Sequence, residues 1–263
     1  LALMDHPAIA RMLDAGSTDD GRPYIVMELV HGEPITDWCA RRELPLADRL
    51  ALFATVCHAL QHAHQKGVVH RDVKPGNVLV TEVDGRAVPK VIDFGIAKAL
   101  HQPLADGTQL TAEGALVGTP GCMSPEQVEQ RADVDTRADV YALGVLLYEL
   151  LCGQGPFPLG DGGLLELVRA VREDDPPRPS VARRRQQANA SRGVPPDERI
   201  PVDVDWVVMT CLEKDRERRY PTAFALAQDV ERLLEERPVE AAPPSRLYRM
   251  RKLARRHRAA VLL

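Results

Sequence analysis

Val69-His70-Arg71-Asp72-Val73-Lys74-Pro75-Gly76-Asn77-Val78-Leu79 is followed by Val91-Ile92-Asp93-Phe94-Gly95. The first stretch places a carboxylate, an ammonium and an amide within six positions. The second supplies another carboxylate 21 residues after Asp72, next to a Gly that lets the backbone turn. Apolar, strand-like runs at Val78 to Val80 and Val88 to Ile92 hold the two groups in one neighbourhood. A lone Asp-Phe-Gly reads as an ordinary turn. The two groups in this order do not.

These residue types suit the transfer of a phosphoryl group. That group carries dispersed negative charge, so a catalyst must orient a hydroxyl nucleophile and surround the phosphate with fixed positive charge. Asp72 can accept the hydroxyl proton and Lys74 can sit on the γ-phosphate. Asn77 and Asp93 offer the oxygen donors that hard cations such as Mg²⁺ prefer. The arrangement resembles the H-R-D-x-K-x-x-N catalytic loop and D-F-G motif of the eukaryotic-type (Hanks-type) protein kinases, in their bacterial, Ser/Thr-directed branch.

The resemblance runs over about residues 1 to 236. It implies an α+β, protein kinase-like fold: a mainly helical C-terminal lobe with short strands from the end of an N-terminal lobe. Residues 1–30 then match the end of helix αC, strands β4 and β5 and the hinge, with Met27 as gatekeeper. Residues 31–236 match the C-terminal lobe, and 237–263 form a Pro-containing basic tail. ATP and Mg²⁺ are implied, with Glu28, Val30, Leu79 and Lys74 at the nucleotide, Asp72, Lys74 and Asn77 in catalysis, and Asn77 and Asp93 on the metal. The upper half of an ATP site, a G-x-G-x-x-G-x-V loop and a V-A-I-K strand, occurs nowhere in the sequence. The chain therefore reads as a fragment that is inactive alone, and a pseudokinase or binding scaffold is the rival reading.

Further along, Ala97 to Val117 carries Thr108 and Thr111 and resembles an activation segment, leading to Gly118-Thr119 and to Ser124-Pro125-Glu126 in place of A-P-E. Arg71 before the base marks kinases whose loop is ordered by a phosphate paired with that Arg. The family reading also gives roles to His70, Phe94 and Gly95, with Leu1, Met12, Phe94 and His70 packed together. Thr119 belongs to the substrate platform, Glu126 pairs with Arg219, and Asp139 accepts backbone hydrogen bonds from the His70-Arg71 turn. Cys122 stands where related kinases usually carry Tyr.

Composition narrows the class. With 263 residues, 44% of them hydrophobic, the chain can bury a real core. A net charge of −4 offers nucleic acid no overall attraction. The five cysteines are scattered and never form C-x-x-C, which fits a reducing, cytoplasmic setting. Apolar spacing predicts helices over Leu46 to Lys66, Thr136 to Gly153, Leu164 to Arg172, Val204 to Leu212 and Ala223 to Leu234. Strands are predicted at Ile9 to Leu13 and Tyr24 to Leu29, joined by a turn over residues 15 to 21. His58, His62 and His64 read as surface or packing residues rather than metal ligands. Asp174 to Pro201, rich in Pro, Arg, Gln and Asn, reads as a mobile loop.

The tail carries seven Arg or Lys between 246 and 258 and then turns apolar. This is the pattern of a positive-inside flank before a membrane span. The expected partners are protein substrates, a second copy for trans-autophosphorylation and a membrane tether, but no nucleic acid.

Overall fold

The computed structural model describes residues 4–94, 120–158, 163–189 and 199–245, together with Tyr248, Met250 and Lys252. Gly95, Thr108, Thr111 and Thr119, like Leu1, lie outside the described residues.

Two small antiparallel sheets sit at one end. Strands β1 (Met12–Ser17) and β2 (Pro23–Met27) form a hairpin. Strands β3 (Glu33–Pro34), β4 (Val78–Val83) and β5 (Arg86–Val91) pair in the order β3-β4-β5. Asp84 and Gly85 turn the β4–β5 hairpin with φ of 51° and 72°, the two positive angles that a tight two-residue turn requires. A parallel bridge from Ile9 to Val91 ties the segment before β1 to β5, with Ala10 N donating to Val91 O at 2.9 Å. The predicted strand at Ile9 to Leu13 thus starts later and runs longer. Ala15 to Ser17 pair with β2, and Thr18 closes the turn by donating to Arg22 O at 2.8 Å.

The remainder is helical. In chain order it comprises α1 (Ile35–Arg41), α2 (Leu46–Gln65), α3 (Pro125–Val128), α4 (Arg137–Cys152), α5 (Gly163–Glu173), α6 (Pro179–Asn189), α7 (Val202–Cys211) and α8 (Ala223–Leu234). Helix α4 is the centre, with 14 of its 16 residues buried, as expected of a helix apolar on more than one face. Gly144 lets α7 approach it: a Cβ there would stand 2.4 Å from the Cys211 Cβ. Gly153, at φ 72°, ends α4 with its N–H on Glu149 O. Helix α2 packs along α8 and stops at Gly67, φ 76°, where Val68 N returns to Ala63 O at 3.0 Å.

One expectation needs correction. Asp174 to Pro201 is not a loop throughout, because Pro179–Asn189 is helix α6. Its apolar residues are too few to show a helical period. Arg and Gln are good helix formers, however, and Ala182 is buried while Asp205 of α7 holds the first turn. Met12, Met27 and Leu79 are half-buried. The apolar side chains exposed at this end are Leu13, Tyr24, Val26 and, most of all, Leu29 at 78%.

Candidate active site

The catalytic loop is braced from below by α4. Asp139, 0% exposed, takes the His70 N–H on Oδ2 and the Arg71 N–H on Oδ1, each at 2.8 Å. His64, on the last turn of α2, adds its Nε2 to the Asp139 Oδ2 at 2.7 Å. The His64 Nδ1 is buried without a partner, so the proton belongs on Nε2. Arg71 sits at φ 62°, a conformation that costs a non-glycine residue about 1–2 kcal/mol. Two bonds offset this: the Asp139 carboxylate on its N–H, and Gln127, whose Nε2 donates to Arg71 O at 2.8 Å.

His70 is the pivot between the loop and the Asp93 turn. Asp72 N donates to its Nδ1 at 3.3 Å, which leaves Nε2–H to donate to Ile92 O at 3.0 Å. That pattern needs a neutral ring, and burial pushes its pKa below the usual histidine value. The ring lies 4.6 Å from that of Phe94. Of the packing expected among Leu1, Met12, Phe94 and His70, the His70–Phe94 contact is the pair seen here. Met12 stands opposite Met27 in the β1–β2 register.

On the upper side the polar groups converge on Asp72. Lys74 Nζ donates to its Oδ2 at 2.8 Å, and Asn77 Nδ2 reaches the same oxygen at 3.0 Å and the Asp72 carbonyl at 2.8 Å. Asn77 is itself held by the 3₁₀ turn Pro75–Asn77 and by Ile92 N, which donates to its carbonyl at 3.0 Å. Asp93 stands exposed at φ 54°, immediately after this strand-to-loop junction. The loop thus presents a carboxylate, an ammonium, an amide and a second carboxylate on one side.

The hinge positions lie beyond β2. Glu28 N donates to Arg11 O at 2.9 Å, and its carboxylate pairs with Lys90 of β5. The Lys90 hydrogen bond holds that carboxyl below the usual range. The Glu28 side chain is therefore spent on β5. Val30 and Leu79 are both half-buried, and Gly32 brings the two segments together. A Cβ on Gly32 would lie 2.8 Å from Val80 O and 3.2 Å from the Leu79 Cβ.

Beyond the loop, Glu126 and Arg219 form a two-pronged ion pair at 2.7 and 2.8 Å, both side chains buried. Burial raises the Glu126 pKa, but the Arg219 hydrogen bonds and charge outweigh it, and the carboxyl stays below its usual range. Arg219 also donates to the carbonyls of Glu213, Arg137 and Lys214, so its guanidinium has no idle face. Cys122 lies half-buried beside this platform, and burial pushes its thiol up to about 12, away from reactivity.

Sequence reasoning passed over His64 and Gln127. His64 stood in a run of three helix histidines with nothing to single it out. Gln127 had a signal: Ser124-Pro125-Glu126-Gln127 is the S-x-x-Q of a capping box, and Ser124 N and Oγ both meet Gln127 Oε1. His58 pairs with Glu231 at 2.7 Å, and His62 stacks 5.3 Å from His6. Among the described residues no group of three His, Cys, Asp or Glu is placed to hold a metal ion.

A family model described as protein kinase domain matches residues 1–230. The serine/threonine-protein kinase PknB of Mycobacterium leprae is 38% identical over 248 residues, covering 91% of this chain and 35% of that protein. A probable serine/threonine-protein kinase of Streptomyces coelicolor, SCO3848, is 36% identical over 244 residues, covering 91% of this chain and 33% of that protein. The chain thus spans about a third of the length of the curated relatives it matches. Among solved structures, the Mycobacterium tuberculosis PknI kinase domain, a C20A_R136A double mutant, superposes with a TM-score of 0.61 at 27% identity. The match covers 89% of this chain and 74% of that one.

Proposed function

The chain belongs to the protein kinase domain family, and from that premise we propose that its parent protein transfers the γ-phosphoryl group of ATP to serine and threonine hydroxyls of other proteins. The observation that carries this is the convergence of Lys74 and Asn77 on one oxygen of Asp72, at 2.8 and 3.0 Å. It places a base, a fixed cation and a hard-oxygen donor within one small volume.

In this reading Asp72 receives the proton of the attacking hydroxyl. The hydroxyl oxygen bonds to the γ-phosphorus as the bond to the β–γ bridging oxygen breaks, and ADP departs with that electron pair. Lys74, held beside Asp72, steadies the γ-phosphate oxygens. The donors fit Mg²⁺. With its Nδ2 committed to Asp72, Asn77 has Oδ1 to offer, and Asp93 stands exposed at its turn. Such an ion takes one or two protein oxygens and completes its shell with water and substrate phosphates. When bound it supplies positive charge to the phosphates. The Glu28 to Val30 backbone and Leu79 would frame the adenine.

Arg71 has no ion pair among the described residues, which supports a phosphate on Thr108 or Thr111, added by a second copy, as its partner. Mass spectrometry of an active preparation checks this, and a fully active enzyme without loop phosphate overturns it. The basic tail is read as the flank of a membrane tether. No helix of the described residues is long and apolar enough to cross a membrane. The sequence beyond Leu263 tests that reading: an apolar run of membrane-spanning length supports it, and an early return to polar residues ends it.

The test of the activity is labelled-ATP transfer to protein by the full-length parent. Transfer that Asp72→Asn abolishes supports the assignment. An intact, nucleotide-binding parent without transfer makes it a scaffold. The 263-residue chain by itself should show no turnover, since its sequence has nothing to cover the phosphates.

A further inference from the structure

Helix α6 takes no part in the site, yet its charge is unusual. Arg183, Arg184 and Arg185 follow one another on it, Arg178 directly precedes it, and it contains neither Asp nor Glu. Among the described residues none of these four arginines is in an ion pair; Arg184 Nε donates to Ser180 O of its own helix at 3.1 Å. Two of the nearby carboxylates are already engaged. Asp205 of α7, 3% exposed, accepts Ser180 N at 2.9 Å and Ser180 Oγ at 2.6 Å, and Asp174 pairs with Arg169 at 3.2 Å.

The same first turn of α7 holds the tail. Asp203, 5% exposed, pairs with Lys252, and the Tyr248 ring meets Trp206 edge-on at 5.3 Å. Residues two apart on a helix do not share a side, so α6 and the tail flank α7 on different sides. Between and beside them stand exposed Arg199 and the apolar side chains Val202, 47% exposed, and Met250, 67% exposed. A groove lined by Val202, Asp203, Leu234, Tyr248 and Lys252 also carries the exposed acid Glu236. This end of the lobe therefore combines guanidiniums lacking carboxylate partners with protruding apolar groups.

We propose that α6 and the first turn of α7 form a face that lies on an anionic lipid bilayer, with the exposed, adjacent Arg184 and Arg185 on lipid phosphates. Guanidinium matches phosphate with paired N–H donors, and exposed apolar side chains among the cations enter the headgroup boundary, where a purely polar partner would gain nothing from them. A second basic run follows in the sequence of the tail. The inference rests in part on the membrane reading of that tail.

The experiment is co-sedimentation of the 263-residue chain with vesicles of phosphatidylcholine alone or with a quarter phosphatidylglycerol. One variant carries Arg183→Gln, Arg184→Gln and Arg185→Gln. A second carries Gln at Arg246, Arg249, Arg251, Arg255, Arg256 and Arg258. Thermal unfolding shows that each variant remains folded. The chain should bind only the anionic vesicles, and the α6 variant should bind them about tenfold or more weakly. An α6 variant that binds like the parent chain, while the tail variant does not, overturns the face and leaves the tail reading standing. Loss in the α6 variant with full binding by the tail variant keeps the face and removes the tail reading. No preference of the parent chain for anionic vesicles overturns both.

Discussion

The two sides of the catalytic loop are built on opposite plans. Below, Asp139 is wholly buried and meets three donors, from His70, Arg71 and His64. Above, Asp93 is exposed, and Lys74 and Asn77 turn toward Asp72. Both carboxylates belong to one machine, but burial separates their tasks. A buried carboxylate with its lone pairs occupied has a single arrangement, so it can hold a strained turn such as Arg71 at φ 62°. An exposed one retains capacity for a cation. Hydrogen bonds to Asp139 fix the loop on one side, and the groups proposed to react stand on the other.

The sharpest way to break this division is to remove the function of one side without touching the other. Asp72→Asn in the full-length parent should lower phosphoryl transfer by about 10³-fold or more, because it removes the proposed proton acceptor, and Asp93→Asn should do likewise by weakening the proposed cation site. The thermal midpoint should barely move for Asp93→Asn, whose side chain is exposed. Transfer assays beside melting curves check both. Turnover near that of the parent in either variant would end the assignment of roles.

The second variant attacks the brace. Asp139→Ala leaves the His70 and Arg71 N–H groups and His64 Nε2 without an acceptor in a dry site. Each unsatisfied donor costs about 1–3 kcal/mol, so roughly 3 kcal/mol or more of stability should be lost, read from denaturant midpoints. Turnover should fall as well, since Arg71 would relax from its positive φ and carry Asp72 with it. A variant that lost activity but kept its stability would place Asp139 with the reactive groups and dissolve the contrast.

What the sequence made legible follows the same line. The upper groups are named by their chemistry, and a motif of spaced polar residues survives as a pattern in one dimension. The helices with strong apolar spacing, α2, α4 and α8, were readable for the same reason, and α8 has the predicted ends. The brace was half legible: Asp139 came from family resemblance, while His64, 75 positions away in sequence, has no local mark. Helix α6 was hidden because its anchor is Asp205 rather than an apolar stripe. Asp229 was hidden too. It is fully buried and accepts Tyr220 Oη–H, Glu240 N and Ala241 N, fastening the chain beyond the last helix. Long-range polar contacts leave no periodic trace.

His64 allows a finer cut. His64→Leu keeps the volume roughly and removes one of the three donors on Asp139 while leaving the two backbone N–H groups in place. The net value of such a bond is about 1–2 kcal/mol, so the denaturant midpoint should move by less than in Asp139→Ala. Turnover should fall modestly, with KM for ATP unchanged, because His64 touches neither nucleotide nor reacting atoms. A loss of stability equal to that of Asp139→Ala would mean that the backbone donors contribute nothing to the brace.

The smallest effect concerns protons. Folded His70 has a pKa below 6.5, first because burial disfavours its charged form, and its neutral ring makes both bonds that join the loop to the Asp93 turn. His6 is lowered as well, by burial and then by the charges of His62 and His58. Each group titrates near 6.5 when unfolded and lower when folded, so below that pH the unfolded chain takes up protons that the folded chain refuses. Stability must therefore fall with acidity, beginning near pH 6.5, and its full contribution is present above that value. Glu126 acts in a separate window: its lowered carboxyl costs stability only as the pH drops below 4.5. Melting curves from about pH 7.5 to about pH 5.5 isolate the histidines, and His6→Gln and His70→Gln assign the slope between them. If the division between the two sides holds, His70→Gln removes part of the pH slope and weakens the brace, whereas His6→Gln removes part of the slope and leaves transfer by the full-length parent unchanged. A slope unaltered by either change would mean that the neutral ring beneath the loop is not what acid attacks.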